Sequence, residues 1–420
     1  MNYKDLNNKN LSFDVEKIPL DKLEDWIIDD DFNLKHKSNG FFSFIATNQD
    51  NYKNILISQN EIGLLAIFLK SNKEYFLNQE ILIQKKQEPG NNPLTQLSPS
   101  IQMTYSNLIG RHGGKNNNLV LIEKYFQNSL YSFIRHEQSD SFLCKKNLNI
   151  LSIKGSSNFD EFENFSNCYW INLDQLINLV LKGNIVHADT RSVLFFYFGR
   201  YLIDHYQLEF VNSIDSCFLK RLNFWNLKNQ KNWSRINIKE ITTYKNGSLF
   251  FKCEKDIFNK REINAYRIIS NNREVKQWTQ PLISISSKIY DLIFTNNNKQ
   301  IFIIVTLNSN AGTLNCLEFL PTFSYYEADN KSSNIFSSKA VLINQSNQTE
   351  EGGRFWKRSN LHRIFYLEDI SKYKDHENKI LISLPQLLYF YEKSNYISME
   401  LRSISFVLFS YLIRNKWKFR

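Results

Sequence analysis

"INLDQLINLVLKGNIVHADTRS" at residues 171 to 192 and "ISLPQLLYFYEKSNYISMELRS" at residues 382 to 403 align without a gap. In this alignment Gln175 meets Gln386, and the Arg-Ser pair that begins at Arg191 meets the pair that begins at Arg402. Self-similarity of this length indicates an internal repeat, which has to be recognised before single elements are assigned. The two segments therefore predict a chain made of two related halves.

Two further blocks repeat in the same order. "HEQSDSFLCKKN" (136 to 147) aligns with "TEEGGRFWKRSN" (349 to 360), and "EPGNNPLTQLSPSIQ" (88 to 102) aligns with "SNAGTLNCLEFLPTFS" (309 to 324). Three blocks in one order predict a duplication, with an N-terminal module at 1–210 and a C-terminal module at 211–420. Copies that share one ancestor often pack around a pseudo-twofold axis.

Each copy is rich in strands first and in helices last. Strand patterns include "GFFSFIATN", "NEIGLLAIFLK" and "QEILIQKKQ" in the first copy, and "INAYRIIS", "KIYDLIFTN" and "KQIFIIVTLN" in the second. "LDQLINLVLKG" has helical apolar spacing and a glycine stop at Gly183. The segments that follow Arg191 and Arg402 indicate buried helices. The predicted fold class is α+β, in two tandem homologous modules.

Composition places the chain among globular proteins with an anionic partner. Hydrophobic residues make up 42% and aromatic residues 15% of its 420 residues, and its net charge is +10. Such a charge suits nucleic acid, a nucleotide or an acidic surface. The lysines are scattered and form no stripe or basic arm, so no nucleic-acid partner is predicted.

The cysteines and the termini bear on location. The five cysteines are widely spaced and contain no CxxC pair, which disfavours a zinc site and a disulfide framework and indicates reduced thiols in a cytoplasmic protein. The N-terminus "MNYKDLNNKNLSFD" is polar and has no apolar signal region. The longest apolar runs fall short of the ~20 residues that span a bilayer, so no membrane partner is predicted.

The segment "QTEEGGRFWKRSN" (348 to 360) combines two carboxylates, two glycines and Arg354. Each glycine would cost roughly 1 kcal/mol in a helix interior, so the pair indicates a turn. That turn is either a solvated charge cluster between strands or a place where Gly352 and Gly353 let a ligand approach the backbone. The first copy has Ser139, Asp140 and Ser141 in place of the glycines and the arginine.

A family resemblance rests on phrases from both copies. "QEPGNNPLTQLSPSIQMTYSN", then "GRHGG" and "ADTRS", resemble the NDP-hexose 2,3-dehydratase family, and "REVKQWTQPLI", "FLPT" and "TEEGGRFWKRSN" resemble its second half. The resemblance implies two fused Nudix-like modules, usually a homodimer, that remove water across C2 and C3 of a dTDP-4-keto-6-deoxyglucose substrate. It implies no cofactor and no required metal. A non-catalytic nucleotide-sugar-binding protein of the same descent is the alternative.

The sequence departs from a metal-dependent Nudix hydrolase. "GSSNFDE" (155 to 161) offers the opening glycine and glutamate of a Nudix box, but the Arg-Glu core falls on Tyr169-Trp170. Such hydrolases hold magnesium with that box. The sequence therefore disfavours metal-dependent hydrolysis.

The implied reaction needs a base near C3, a donor on the C4 oxygen and an acid for the departing hydroxyl. We expect Glu350 or Glu351 to be the base and prefer Glu350, because its counterpart Glu137 persists in the first copy. Arg354 suits a phosphate or the enolate oxygen. Tyr326 is a candidate acid or carbonyl donor, against the alternative of a packed aromatic.

Binding candidates come partly from the resemblance and partly from residue type. Trp278 and its first-copy equivalent Tyr52 either stack on the thymine base or pack in a core. Arg191 and Arg402 either hold phosphate or brace the modules, and His112 either shuttles protons or faces solvent. The candidate substrate-binding residues are Tyr52, Thr104, Tyr105, Ser106, Asn107, Trp278, Gly352, Gly353, Arg354 and Arg402.

Because the family commonly has an arginine where Tyr105 stands, the role of that position is open. We expect the chemistry to take place in the site that uses the C-terminal EEGGRFW segment, and the N-terminal site to be degenerate or auxiliary. One site built from both modules is the arrangement that the sequence leaves open.

Overall fold

The computed structural model describes residues 12–30, 33–50, 52–70, 75–104, 107, 129–154, 167–209, 215–229, 231–251, 260–271, 275–297, 300–313, 316–327, 340–369 and 378–417. The strands of the first half are β1 (Phe13–Ile18), β2 (Trp26–Ile28), β3 (Leu34–His36), β4 (Ser43–Gln49), β5 (Tyr52–Ser58), β6 (Gly63–Lys70), β7 (Glu80–Gln87), β8 (Thr95–Pro99), β9 (Ile101–Thr104), β10 (Ser129–His136), β11 (Phe142–Leu143), β12 (Lys146–Lys154) and β13 (Cys168–Asn172).

The strands of the second half are β14 (Trp233–Ile236), β15 (Thr242–Lys245), β16 (Ser248–Phe251), β17 (Arg261–Ser270), β18 (Gln277–Ile285), β19 (Lys288–Asn297), β20 (Gln300–Ser309), β21 (Leu317–Leu320), β22 (Phe323–Tyr326), β23 (Ala340–Thr349), β24 (Ser359–Leu367) and β25 (Lys379–Ser383). The α-helices of the described ranges are α1 (Leu173–Lys182), α2 (Ala188–Tyr206), α3 (Ser216–Lys228), α4 (Ile238–Ile241), α5 (Leu384–Lys393) and α6 (Met399–Arg414).

Two seven-stranded sheets carry the repeat. The first runs β10-β12-β6-β7-β13, with β8 on β7 and β9 on β6. The second runs β23-β24-β19-β20-β25, with β21 on β20 and β22 on β19. Leu97 bridges Val186 in the first half as Phe319 bridges Ile397 in the second. This matching pairing confirms the predicted α+β class and the two repeated segments.

The predicted helix at 173 to 183 is confirmed. The side chain of Asn172 accepts a hydrogen bond of 2.8 Å from the backbone N–H of Gln175, which caps the start of α1. Gly183 ends the helix with a φ of 84°, a conformation that glycine adopts without a steric penalty. In the second half Ser383 and Gln386 form a capping box at the start of α5.

The helices of both halves share one apolar core. The ring of Phe198 on α2 lies 4.6 Å from that of Phe406 on α6, and Phe195 lies 5.4 Å from Phe409. Residues of both large sheets join the same cluster. In the part of the chain that the structure describes, no helix has the length and apolar character needed to cross a bilayer.

The two smaller sheets exchange strands between the halves. β1 of the first half pairs with β17 of the second, and β14 of the second half pairs with β4 of the first, both antiparallel. Val15 stands opposite Ile268, and Ser234 stands opposite Asn48. Each small sheet therefore needs a strand from the other half. The module boundary at 210/211 stays a prediction, and α3 lies just after it.

Two buried arginines tie the halves together reciprocally. Arg191 donates from Nε to Ser403 Oγ (2.8 Å) and from one terminal nitrogen to the Thr349 carbonyl (2.8 Å). Arg402 donates from Nε to Ser192 Oγ (2.9 Å) and to two backbone carbonyls, at 2.8 and 2.6 Å. Both side chains are fully buried. Of the two roles left open for these arginines, the contacts favour bracing.

Candidate active site

The EEGGRFW loop of the second half packs on the first half. The backbone N–H of Gly90 donates to the Gly352 carbonyl at 2.8 Å, and that of Lys357 donates to the Gly90 carbonyl at 2.7 Å. A Cβ on Gly90 would overlap the carbonyl oxygen of Phe355, so only glycine fits at this crossing. Residues of both halves thus meet at this loop, as one site built from both modules would require.

Beneath this loop lies a buried acid–base cluster of the first half. Glu88 follows the end of β7, and His187 and Asp189 stand at the start of α2. His187 Nε2 lies 3.2 Å from Glu88 Oε2, and the backbone N–H of Asp189 donates to His187 Nδ1 at 3.2 Å. Gln102 donates to Asp189 Oδ2 at 2.8 Å, and Lys86 Nζ lies 2.9 Å from Glu88 Oε1. Every group in the cluster has a partner of suitable chemistry.

The charged groups of the cluster lower the pKa of Glu88 and raise that of His187. Burial alone would raise the pKa of Glu88, but Lys86 and His187 hold it well below its usual range. Burial alone would lower the pKa of His187, but the hydrogen bond and charge of Glu88, with Asp189, raise it. Burial raises the pKa of Asp189. Glu88 is therefore ionised, and His187, whose Nδ1 accepts from the Asp189 N–H, presents its Nε2 to Glu88.

Glu351 brings a carboxylate of the second half to this cluster. Its side chain is 20% exposed and lies 3.7 Å from an Arg354 terminal nitrogen. A Cβ on Gly353 would stand 2.7 Å from Glu351 Oε1 and 3.8 Å from Glu88 Oε1, so carboxylates of both halves flank one point. Burial raises the pKa of Glu351 against the charge of Arg354, and the carboxylates of Glu88 and Asp189 raise it further. A raised pKa suits a general base that works near neutral pH.

Arg354 is held in one orientation. Its terminal nitrogens donate at 3.0 Å to the Gly353 carbonyl and at 3.0 Å to Gln59 Oε1. The guanidinium carbon lies 4.3 Å from the centroid of the Phe42 ring, a cation–π contact. The Nε is buried, and no described residue accepts a hydrogen bond from it. The residue therefore offers a fixed positive charge and one donor for an oxygen of a ligand.

The position of Glu350 argues against our preference for it as the base. It is 7% exposed, and its two oxygens accept from the side-chain amides of Asn360, at 2.5 Å, and of Gln138. Glu137 accepts in the same way from Asn147 in the first half. The persistence of a glutamate at both positions therefore reflects a shared structural contact.

A second layer of charge lies next to the loop. Burial and the neighbouring Asp189 raise the pKa of Glu137 to about 8. Burial and the neighbouring Arg354 lower the pKa of Lys145 to about 8, and its Nζ donates to the Glu61 carbonyl at 2.6 Å. Both pKa values lie close to neutral pH.

Sequence reasoning missed Glu88, His187, Asp189 and Lys145. The signal was present, because Glu88 opens "EPGN" and His187 and Asp189 belong to "HADTRS". Glu88 and Asp189 lie in "EPGN" and "ADTRS", which contribute to the family resemblance, and His187 directly precedes "ADTRS". A histidine and an aspartate at the start of a helix that is otherwise apolar are the feature that would have identified them.

Trp278 is linked to the loop by the side chain of Gln280. Its indole Nε1 donates to Gln280 Oε1 at 2.8 Å, and Gln280 donates to the Gly353 carbonyl at 3.0 Å. Tyr52 takes the equivalent place in the first half, where Asn54 donates to the Asp140 carbonyl at 3.3 Å. The structure thus brings Trp278 to the loop that carries Glu351, and Tyr52 to its counterpart.

The remaining candidates are distributed over both halves. Thr104 ends β9 opposite Gly63, and Asn107 is exposed. Tyr105, Ser106 and His112 lie outside the described residues. Tyr326 lies on β22, opposite Lys288 of β19, at the position that corresponds to Thr104 in the first half. It belongs to the counterpart in the second half and not to the cluster around Glu351. Arg402 is 1% exposed and bound to the protein through its three nitrogens, so its position disfavours substrate binding.

The fold and this site define a duplicated α+β enzyme in which an acid–base cluster of one half meets a glycine-rich loop of the other. The sequence model described as NDP-hexose 2,3-dehydratase matches residues 2–196 and 215–408, so that it covers both repeats. The chain belongs to this family.

Curated relatives of the chain carry one activity in their names. The chain is 24% identical over 373 residues to a dTDP-4-dehydro-6-deoxy-alpha-D-glucopyranose 2,3-dehydratase of Amycolatopsis orientalis, covering 82% of this chain and 76% of the relative. It is 24% identical over 435 residues to the protein of that name from Saccharopolyspora spinosa (94% and 87% covered). For the one from Streptomyces violaceoruber the identity is 21% over 381 residues (85% and 84% covered).

Proposed function

We propose that the chain removes water across C2 and C3 of a dTDP-4-keto-6-deoxyglucose, with Glu351 as the base at C3. The assignment of the base rests on the contact between the Glu351 loop of the second half and the Glu88 and His187 pair of the first half. Glu351, half-buried and with a raised pKa, lies beside Arg354 and above the Glu88 and His187 pair. Of the two glutamates in the loop, it is the one that is partly exposed at this cluster.

The reaction balances with one carboxyl. The C4 carbonyl makes the C3 hydrogen acidic, because removing it gives an enolate delocalised onto the C4 oxygen. Glu351 takes that proton, and the electron pair of the enolate then forms the C2–C3 double bond as the C2–O bond breaks. The departing hydroxyl takes the proton from Glu351, so that one water leaves and the carboxylate is restored. The enol product becomes a 3,4-diketone.

Positive charge is available where the reaction develops negative charge. The Arg354 Nε is a donor that suits the enolate oxygen or a diphosphate oxygen, and its guanidinium is held in place by Gln59 and Phe42. Burial and the neighbouring Glu88 and Asp189 raise the pKa of Glu351 and so keep its carboxylate basic. We assign Trp278 to the thymine base, where stacking on an aromatic ring contributes ~1–3 kcal/mol.

The second half shows what an inactive counterpart looks like, which bears on the non-catalytic alternative. By the repeat, Gln138 stands where the active loop has Glu351, and Ser141 stands where it has Arg354. Asn310 and Ser398 likewise replace Glu88 and His187. The site that joins Glu88 and His187 of the first half to Glu351 and Arg354 of the second keeps all four chemical groups, and this contrast favours an enzyme over a binding protein.

Finer features of the proposal rest on the resemblance. We assign residues 1–210 and 211–420 to Nudix-like modules, the active form to a homodimer and the location to the cytoplasm. The substrate site needs no metal and no cofactor in this proposal. Turnover that survives dialysis against EDTA, and a mass of two chains by light scattering, are the expected results. Turnover that requires an added divalent ion would contradict the metal-free assignment.

The test of the proposal is Glu351→Gln, with Glu350→Gln as the matched control. Each variant is incubated with the keto sugar and a 3-ketoreductase that traps the unstable diketone. We expect Glu351→Gln to lower kcat by ~10²–10⁴-fold, the usual contribution of a general base. Its unfolding midpoint should stay near that of the wild type. A Glu351→Gln enzyme within threefold of wild-type kcat would refute the assignment.

The control separates chemistry from folding. In Glu350→Gln an amide nitrogen faces the amide donors of Asn360 and Gln138, which leaves donors unpaired in the interior. We expect the free energy of unfolding to fall by ~1–3 kcal/mol, with a smaller loss of kcat than in Glu351→Gln. A wash-out assay adds a direct readout, since substrate carrying deuterium at C3 should keep its label with Glu351→Gln.

A further inference from the structure

The second half contains a counterpart of the active site at a position fixed by strand pairing. Lys288 stands opposite Tyr326 where β19 meets β22, as Gly63 stands opposite Thr104 where β6 meets β9. A lysine side chain therefore occupies the position at which the active site has a glycine. The two sheets are otherwise paired alike.

The loop over this counterpart is held in the same way as the active loop. The backbone N–H of Cys144 donates to the Gly312 carbonyl at 2.6 Å, which matches the 2.7 Å bond from Lys357 to Gly90. A Cβ on Gly312 would overlap the Ser139 carbonyl oxygen. These matches place Asp140 at the position that Gly353 holds in the active loop.

Two cations converge on the carboxylate of Asp140. Lys288 Nζ lies 2.6 Å from Asp140 Oδ2, and an Arg358 terminal nitrogen lies 3.5 Å from the same atom. Arg261 donates to the backbone carbonyl of Asp140 at 3.1 Å. Burial would raise the pKa of Asp140, but Lys288 and Arg358 hold it far below its usual range. The Asp140 carboxylate is therefore ionised at neutral pH.

The surroundings of these cations contain buried acids and aromatic rings. Lys288 Nζ lies 5.2 Å from the ring centroid of Tyr326, and the Arg358 guanidinium carbon lies 5.0 Å from that of Phe355. Glu400 lies near Asp140, and burial and Asp140 raise its pKa to about 7. Glu350 and Glu400 are the other carboxylates that act on Arg358, and Asp140 is the one that lies in direct contact with both cations.

We propose that this counterpart is an anion site occupied by the protein's own Asp140, which excludes the diphosphate of a nucleotide from the second half. A lysine and an arginine that share one carboxylate oxygen are also the pair of donors that hold phosphoryl oxygens. The chain consequently binds one nucleoside diphosphate, at the active site. Replacing Asp140 by glycine, the residue of the active loop, opens a second diphosphate site.

The experiment compares wild type with Asp140→Gly by calorimetric titration with dTDP. We expect one dTDP per wild-type chain and two per Asp140→Gly chain, with inorganic pyrophosphate competing for the added site. The variant removes the carboxylate that pairs with two buried cations, so its melting temperature should fall below that of wild type. Inorganic pyrophosphate should restore part of that loss and should shift the wild type less.

Two further variants keep the test decisive. Asp204→Asn removes one exposed carboxylate on α2, 3.7 Å from Arg200, and controls for the change in net charge. Asp140→Asn removes the same charge with little change of shape, and serves if Asp140→Gly does not fold. One dTDP per Asp140→Gly chain without stabilisation by pyrophosphate, or two per wild-type chain, would overturn the proposal. The proposed function depends on turnover by the wild type, so the two can fail separately.

Discussion

Replacing either bracing arginine by methionine should destabilise the protein strongly without abolishing substrate binding directly. Arg191→Met and Arg402→Met keep most of the side-chain volume and remove the guanidinium. Each change removes the arginine donor from a serine hydroxyl of the other half and from two backbone carbonyls. Ser192 Oγ still accepts from Asn149 at 2.9 Å, and the His136 carbonyl is half-buried, so Arg402→Met has more routes to relax than Arg191→Met.

The magnitude follows from the number of bonds. A buried group left unpaired costs ~1–3 kcal/mol, but relaxation and the lower desolvation of methionine offset part of the sum. Breaking a buried charged network usually costs ~3–5 kcal/mol. We therefore expect each variant to lose about 3–5 kcal/mol of unfolding free energy. Ser403→Ala and Ser192→Ala, which remove one acceptor each, should lose about 1 kcal/mol.

Urea unfolding followed by tryptophan fluorescence measures the loss, and a double-mutant cycle of Arg191→Met with Ser403→Ala isolates the bond between the halves. The KM of Arg402→Met should stay within about threefold of wild type, because Arg402 is buried and bound to protein atoms. A loss below 1 kcal/mol with a KM raised more than tenfold would refute the bracing role and restore substrate binding.

Three further perturbations test the two halves against each other. Gly90→Ala and Gly312→Ala each force a loop away from the glycine that it crosses, so both should lower the melting temperature. Only Gly90→Ala should lower kcat more than tenfold, because only its loop carries Glu351. Equal losses of kcat would contradict the presence of a single active site. Burial and Glu400 raise the pKa of Glu318 from 4.5 to about 8, so its stabilising contribution is complete below pH 4.5 and is lost as pH rises through 8. Glu318→Gln, which copies Gln96 of the first half, should therefore become more stable relative to wild type in melts from pH 5 to 9, and a constant difference across that range would refute the shift. Trp278→Ala should raise KM for the dTDP sugar about 5–150-fold, from the ~1–3 kcal/mol of base stacking, with Tyr52→Ala nearly unchanged; equal effects of the two variants would contradict the assignment of the base to Trp278.

The sequence predicted the repeat, long strands of both large sheets and the buried helices of each half, because these depend on local pattern. Alternation and helical spacing decide which face of an element is buried. The glycine at 183 and the polar caps at 172 and 383 mark helix ends. The order of blocks shows that the same pattern occurs twice. None of these signals depends on how the strands pair in the sheets.

The site was harder to predict, because it is made by contacts between distant parts of the chain. Nothing local to Glu351 indicates that its loop crosses to Gly90. Glu350 persists as a pair with Glu137, and the structure shows that such a pair can persist for an amide contact alone. His187 and Asp189 are buried in a helix whose pattern is apolar, so their chemistry is visible only once Glu88 and Lys86 stand beside them.

The exchanged strands determine when the two small sheets can fold during synthesis. β1 leaves the ribosome early, but Phe13 stands opposite Ser270 in β17, and β4 must wait for β14 to cover its edge. Domains that fold as units during synthesis do so as soon as their own residues have emerged. Here the small sheet that contains β4 stays incomplete until β14 of the second half has been synthesised. Until then it has an open strand edge that is prone to pair with another chain. Nascent chains halted between residues 210 and 270 should therefore depend on chaperones more than the full-length protein does.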